Sequence, residues 1–205
     1  MTVKYSQDLH QKVKPCRKVC KTCGLYLNQL PVLDYLKHSH IFWVGLSAVQ
    51  FEKGIEHLPL SPTTRTGALI SSIEEPLNEE ISFYKTNLVK CVPLKDDGKI
   101  RYPIEHEMEK CFPNFQFELD ALNPSVVFLL GKQVATFVMK KKGIKEFELP
   151  DDFNYKSYEI NNVSFVPIHH PSYILVYKRK LLKTYIKNIQ KICNKVSRMN
   201  LGHTA

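Results

Sequence analysis

No stretch of this chain approaches the roughly 18 consecutive apolar residues that a membrane-spanning helix requires. The opening Met1-Thr2-Val3-Lys4-Tyr5-Ser6-Gln7 also lacks the apolar core of a secretory signal. Both absences set the expectation of a cytoplasmic protein with no membrane partner. In that reducing compartment six cysteines do not suggest a disulfide framework, and metal binding is the better default. No internal repeat is visible and no shift in composition marks a second domain. Acids are scarce: 20 Asp and Glu stand against 29 Lys and Arg, a net charge of +9. Such an excess suits a polyanionic partner, DNA or RNA first, although a lysine-rich surface also serves solubility alone. What remains is ordinary: 205 residues, 43% apolar and 24% charged, enough for one domain with a real core. The expectation is a single domain over 1–205, with a cysteine-rich segment at 1–24 and a basic helix and tail at 173–205.

The middle of the chain organises the rest. Ile81, Phe83 and Tyr84 lead as a strand into Lys85-Thr86-Asn87-Leu88-Val89-Lys90-Cys91. An Asn at the carboxyl end of a strand can aim one acceptor and two donors into a crevice, as reading a planar base edge requires. Taken alone, Asn87 would equally serve as a turn cap and Cys91 as a buried thiol. Three other runs read as strands: Ile41–Gly45, Ser125–Gly131 and Val163–Pro167. Helical stretches follow them at 66–73, from Pro103 onward with an interruption at Pro113, at 132–142, and from Tyr173 to Val196. A long loop at 46–65 holds Gly54, Pro59 and Pro62, and loops of that length in compact domains tend to be functional. Lys95-Asp96-Asp97-Gly98-Lys99 reads as an exposed turn. Alternating strands and helices predict an α/β fold, a three-layer α/β/α sandwich around a mainly parallel four-stranded sheet. Chemistry then belongs at the carboxyl ends of the strands, where Gly45, Asn87, Gly131 and His170 fall.

Cysteine spacing narrows the chemistry. Cys16-x3-Cys20-x2-Cys23 has the spacing of a radical-SAM triad, but it precedes the first strand and no Gly-Gly-Glu segment follows. A zinc site built on Cys20 and Cys23 with two later ligands is one alternative. The other joins them to Cys91 and Cys111, and four thiolates suit a [4Fe–4S] cluster.

Six segments in order carry a resemblance. They are Cys20-Lys21-Thr22-Cys23-Gly24-Leu25, Phe42-Trp43-Val44-Gly45, Thr86-Asn87-Leu88-Val89-Lys90-Cys91, Glu109-Lys110-Cys111, Asn123 through Gly131, and His169-His170-Pro171-Ser172. Together they resemble the iron–sulfur uracil-DNA glycosylases of family four, over most of the chain from residue 20 to about 190. The resemblance implies a [4Fe–4S] cluster on Cys20, Cys23, Cys91 and Cys111, and leaves Cys16 and Cys193 as ordinary thiols. It implies that Asn87 reads the pyrimidine edge of a flipped base, with Gly45 also part of the substrate site. It also implies that His170, beside Ser172, supports the negative charge developing on the departing uracil.

The same comparison exposes departures. Where the family has Gly-Glu-x-Pro-Gly, this chain has Gly45-Leu46-Ser47-Ala48-Val49, so Leu46 occupies the place of the acid. The stacking aromatic of Pro-Phe-x-Gly is met by Pro59-Leu60-Ser61-Pro62, which puts Leu60 there. Glu52 and Glu56 are the nearby loop acids, read as solvated. Lys132, Lys140, Lys141, Lys142, Lys178 and Arg179 are candidate DNA contacts; those closing the helix at 132–142 also answer its dipole. The expectation is an iron–sulfur protein that binds DNA, single-stranded or uracil-containing, with excision impaired or lost. An active glycosylase on uracil or another lesion is one alternative. An interaction module bound by a DNA-mimicking inhibitor protein is the other.

Overall fold

The computed structural model describes residues 23–51 and 57–201, with side chains to 196. Cys16, Cys20, Glu52, Glu56 and all but the last two residues of the 1–24 segment lie outside them. After a short 3₁₀ turn at Leu25–Leu27 come strand β1 (Ile41–Ser47), helix α1 (Arg65–Glu74), β2 (Phe83–Val89), α2 (Glu105–Leu122), β3 (Val126–Leu130) and α3 (Lys132–Lys141). The chain continues through β4 (Tyr158–Ile160), β5 (Val163–Ile168), α4 (Pro171–Tyr177) and α5 (Leu182–Leu201).

The sheet order is β2-β1-β3-β5-β4, parallel except for β4. Side chains alternate along each strand, so each central strand feeds two cores. Phe42, Val44, Tyr84, Val127 and Leu129 join Phe115 of α2 and Val134 and Val138 of α3 on one face. Ile41, Trp43, Phe128 and Val166 join Ile70 of α1, Ile174 of α4 and Tyr185 and Ile189 of α5 on the other. These are the three layers expected. No helix among the described residues is long and apolar enough to cross a membrane.

The structure corrects three details. The sheet has five strands, not four: β4 pairs antiparallel with β5 through Ile160 and Val163. It was hidden because only three residues form it. The turn is Asn161-Asn162 with φ of 51° and 64°, the doubly left-handed geometry of a tight hairpin. Second, Pro113 does not interrupt α2, which runs unbroken across it. An interior proline costs about 3 kcal/mol, and burial of Cys111, Phe115, Leu119 and Leu122 on both sides of Pro113 offsets that. Third, the basic helix is two helices. Lys178 leaves helical geometry (φ −126°, ψ 26°) and a 3₁₀ turn at Arg179–Leu181 redirects the chain. The break lets α4 and α5 each present an apolar residue, Ile174 and Tyr185, to the same core.

Candidate functional site

The carboxyl ends of β1, β2, β3 and β5 open onto one cleft of about 1160 Å³. Gly45, Asn87, Gly131 and His170 all line it, with Leu46, Leu60 and Ser172. Gly45 pairs with Asn87 across β1 and β2. A Cβ on Gly45 would run into Oδ1 of Asn87, so the glycine is what lets the amide lie across β1. Gly131 has φ of 98°, and a Cβ there would come within 3.1 Å of Cβ of His170. Both glycines therefore make room for the two polar side chains of the site.

Asn87 is only 4% exposed, and its side-chain amide has no hydrogen-bond partner among the described residues. Its amide atoms are not sealed off from the cleft, so their open edge is free to pair with a ligand there.

His170 caps α4. Its Nδ1 accepts from the Ser172 backbone N–H at 3.2 Å and lies 2.7 Å from the Ser172 hydroxyl. Burial pushes the imidazole below its ordinary pKa. A neutral ring whose Nδ1 accepts from a backbone amide carries its proton on Nε2. His170 is thus set to donate from Nε2. Its neighbour His169 is locked differently: its Nδ1 meets the Tyr155 hydroxyl at 2.9 Å, and its carbonyl accepts from Tyr185. Burial lowers its pKa as well.

Flanking Asn87 along the chain is a buried ion network. Lys90, wholly buried, donates to Thr86 Oγ1 at 2.6 Å and to Glu118 Oε2 at 2.7 Å. Tyr84 and Thr86 also donate to the Glu118 carboxylate. Burial pushes the Glu118 carboxyl above its ordinary pKa, and the Lys90 charge pulls against it. These contacts tie β2, on either side of Asn87, to α2.

The β1 side of the cleft is different in kind. Leu46 is half-buried and packs on the core; Leu60 holds a left-handed φ of 52°. The Leu60 and Ser61 carbonyls press so close to Gly67 that only glycine fits that turn of α1. No carboxylate lines the cleft among the described residues.

The cations divide. Lys132 lines the cleft, as do Lys95 and Arg101, which sequence reading passed over. The turn at Lys95–Lys99 is indeed exposed, but its flanks pair through Leu94 and Ile100 and carry Arg101 and Tyr102 to the cleft. Arg101 is fixed there by a two-pronged bond to Glu107, at 2.8 and 2.6 Å, and by Nε to the Leu94 carbonyl. Burial pushes Glu107 up, but Arg101 and the Ile104 N–H outweigh it and hold the carboxyl below its ordinary pKa. Away from the cleft, Lys140 and Lys141 pair with Glu105 and Glu109 of α2, Lys142 bonds Gln116, and Lys178 pairs with Asp151. Arg179 is exposed.

Cys23, Cys91 and Cys111 come from three separate segments into one core cluster on the α2 face. Thiols converging from a loop, a strand end and a helix suit a metal cluster by donor chemistry. Among the described residues alone no three such groups form a metal-binding set, and Cys20 lies outside them. Cys193 sits on the opposite face of the sheet, where burial pushes its thiol up to about 12.

Comparison with known proteins agrees with this geometry. The family model of the uracil DNA glycosylase superfamily matches residues 25–193, and this chain belongs to that superfamily. Within it, the chain is 27% identical over 194 residues to the Type-4 uracil-DNA glycosylase of Sulfurisphaera tokodaii, covering 91% of this chain and 84% of that protein. It is 24% identical over 193 residues to that of Thermotoga maritima, covering 90% and 93%. The match to the Archaeoglobus fulgidus Type-4 enzyme is 31% identical over 119 residues, spanning 55% of this chain and 57% of that protein. The crystal structure of Pedobacter heparinus SMUG2 shares the fold, with a TM-score of 0.54 at 14% identity over 90% of this chain and 85% of that one.

Proposed function

We propose that this protein binds DNA and captures an extruded pyrimidine, uracil first, while excising it weakly or not at all. The carrying observation is the cleft itself: an unpartnered Asn87 amide at its lining and a His170 donor, with no carboxylate among the described lining residues. Excision breaks the bond from C1′ of the deoxyribose to N1 of the base. Water supplies hydroxide to C1′, and the base leaves with the electron pair. Asn87 would read the N3 and O4 edge. Nε2–H of His170 would donate to O2 and stabilise the departing anion, a kind of contribution often worth about 10²–10³ in rate. Leu46 can neither orient water nor accept its proton, a role typically worth about 10²–10⁴. Leu60 offers no ring for stacking.

Lys132 within the cleft, and Lys140, Lys141, Lys142, Lys178 and Arg179 outside it, are the proposed phosphate contacts. A DNA-mimicking acidic protein could use the same cations, and a pull-down from lysate pretreated with nuclease tests that reading.

In the same proposal Cys20, Cys23, Cys91 and Cys111 hold a structural [4Fe–4S] cluster in the reducing cytoplasm, which ties the chain before β1 to β2 and α2. Anaerobically purified protein should then be brown with about four irons per chain. Stoichiometric zinc without iron would replace the cluster with a zinc site.

The functional test compares wild type with Leu46→Glu on uracil-containing single strands, scored by alkaline cleavage. Excision rising in Leu46→Glu supports the lost-carboxylate account. If Leu46→Glu stays inactive while Leu46→Glu/Leu60→Phe excises, the missing ring is the further block.

A further inference from the structure

We infer that the rim of the cleft is a stacking platform for unpaired nucleotides on either side of the captured base, so that the DNA it takes is single-stranded. The inference rests on the base-reading function proposed above and specifies its substrate.

The rim carries an unusual set of exposed rings. Tyr177 is 72% and Tyr102 70% exposed, and both line the same cleft as Asn87 and His170. Tyr173 and Tyr177 stand one turn apart on α4, ring centroids 5.4 Å apart. Tyr173 in turn stacks on His169 at 5.4 Å and 16° between planes. His169 is fixed by the Tyr155 hydroxyl, so the ladder of rings is anchored at its inner end and presents Tyr177 at its outer end. Tyr102 comes from a different element, the segment that Arg101 pins to Glu107. Ile100 and Val176, also exposed, widen the two apolar walls.

Exposed tyrosines around a base pocket have one natural use. A duplex has already stacked its bases on one another, so such rings gain nothing from it. A single strand offers free base faces, and every base has one. The surroundings favour nucleic acid over an apolar protein partner: Lys95 and Lys132 line the same cleft, no acid does among the described residues, and the net charge is +9.

The test measures binding of the full chain to an undamaged pyrimidine-rich single strand and to the matching duplex, by fluorescence anisotropy at one salt concentration. Tyr177→Ala and Tyr102→Ala should each weaken single-strand binding by about 5- to 150-fold, the range of one lost base stack. Duplex binding, the salt slope and the melting temperature should not change, because no cation or buried contact is removed. Tyr177→Phe should bind as wild type does. If both alanine variants bind the single strand as wild type does, or lose single-strand and duplex affinity equally, the platform is overturned. Preference for uracil over thymine reports on Asn87 separately. A wild type with no such preference, whose alanine variants still lose single-strand affinity, supports the platform while overturning the base-reading proposal. A wild type that holds an acidic protein and no single strand overturns the platform.

Discussion

The two sides of the cleft are built to different standards. On the β2 and β5 side the polar groups sit in an ordered setting: Asn87 follows Thr86, which the Lys90–Glu118 network holds, and the Nδ1 of His170 accepts from the Ser172 N–H. On the β1 side the wall is Leu46, Ala48, Val49 and Leu60, apolar side chains without a proton-transfer group. A site that had simply decayed should show loss on both sides. Under the proposed function, this one would keep the groups that recognise a base and its leaving charge and lack those that would activate water. Recognition and hydrolysis would then be separable, because different segments of the chain supply them.

The largest effect should come from the ion network that flanks Asn87 along β2. Lys90→Met leaves Glu118 buried without its cation, and breaking such a pair costs about 3–5 kcal/mol. Thermal denaturation should show a fall of several degrees at least, and Lys90→Met/Glu118→Leu should recover most of it. If Lys90→Met melts as wild type does, the retained side is less constrained than its geometry suggests.

Next comes Asn87→Ala. It removes the base-reading amide and should cut preference for uracil-containing over thymine-containing strands by about 10- to 100-fold, in line with about 1–3 kcal/mol for a buried polar contact. Single-strand affinity for undamaged DNA should change little. Equal losses on both strands would indicate a general defect.

The pH response should be smaller. Burial lowers the pKa of His40, His169 and His170. The unfolded chain, with ordinary histidines near 6.5, therefore binds more protons than the folded one just below that pH. The histidine share of stability should be constant above about pH 7 and decline as pH falls through about 6.5, while the raised carboxyls of Asp34, Glu74 and Glu118 act with the opposite sign. Histidine titrations followed by NMR check this share: the three should titrate below the ordinary histidine range, and titration above it would contradict the account.

The smallest effect separates the cations. If single-stranded DNA lies in the cleft, Lys132→Ala should reduce the slope of log affinity against log salt by about 0.7. Lys140→Ala, whose ammonium already pairs with Glu105 at 3.0 Å, should change it less. The reverse order would move the DNA out of the cleft.

Much of this layout was legible in the sequence. Apolar runs ending in Gly45, Asn87 and Gly131 marked three strand ends, and the strand pattern alone placed them on one edge of a sheet. What was hidden depends on long-range contacts. The charge of Lys90 reads like any other lysine until Glu118, 28 residues on, is folded against it. Strand β4 is too short to show a period, and only its Asn161-Asn162 turn carried a signal. Pro113 was given its usual weight as a helix breaker, but burial along α2 outweighed it. The break at Lys178 has no glycine or proline to announce it. Lys95, Arg101 and Tyr102 looked like ordinary parts of an exposed turn, because nothing local shows that the Leu94–Ile100 pairing carries them to the cleft.

The most direct test measures binding and excision together, in wild-type protein, on one uracil-containing single strand under single-turnover conditions. The account predicts clear preference for uracil over thymine in binding, with excision at least about 10²-fold slower than in a glycosylase that has its general base. Wild-type turnover comparable to ordinary DNA glycosylases would contradict it, and would mean that a group other than a residue at position 46 activates the water.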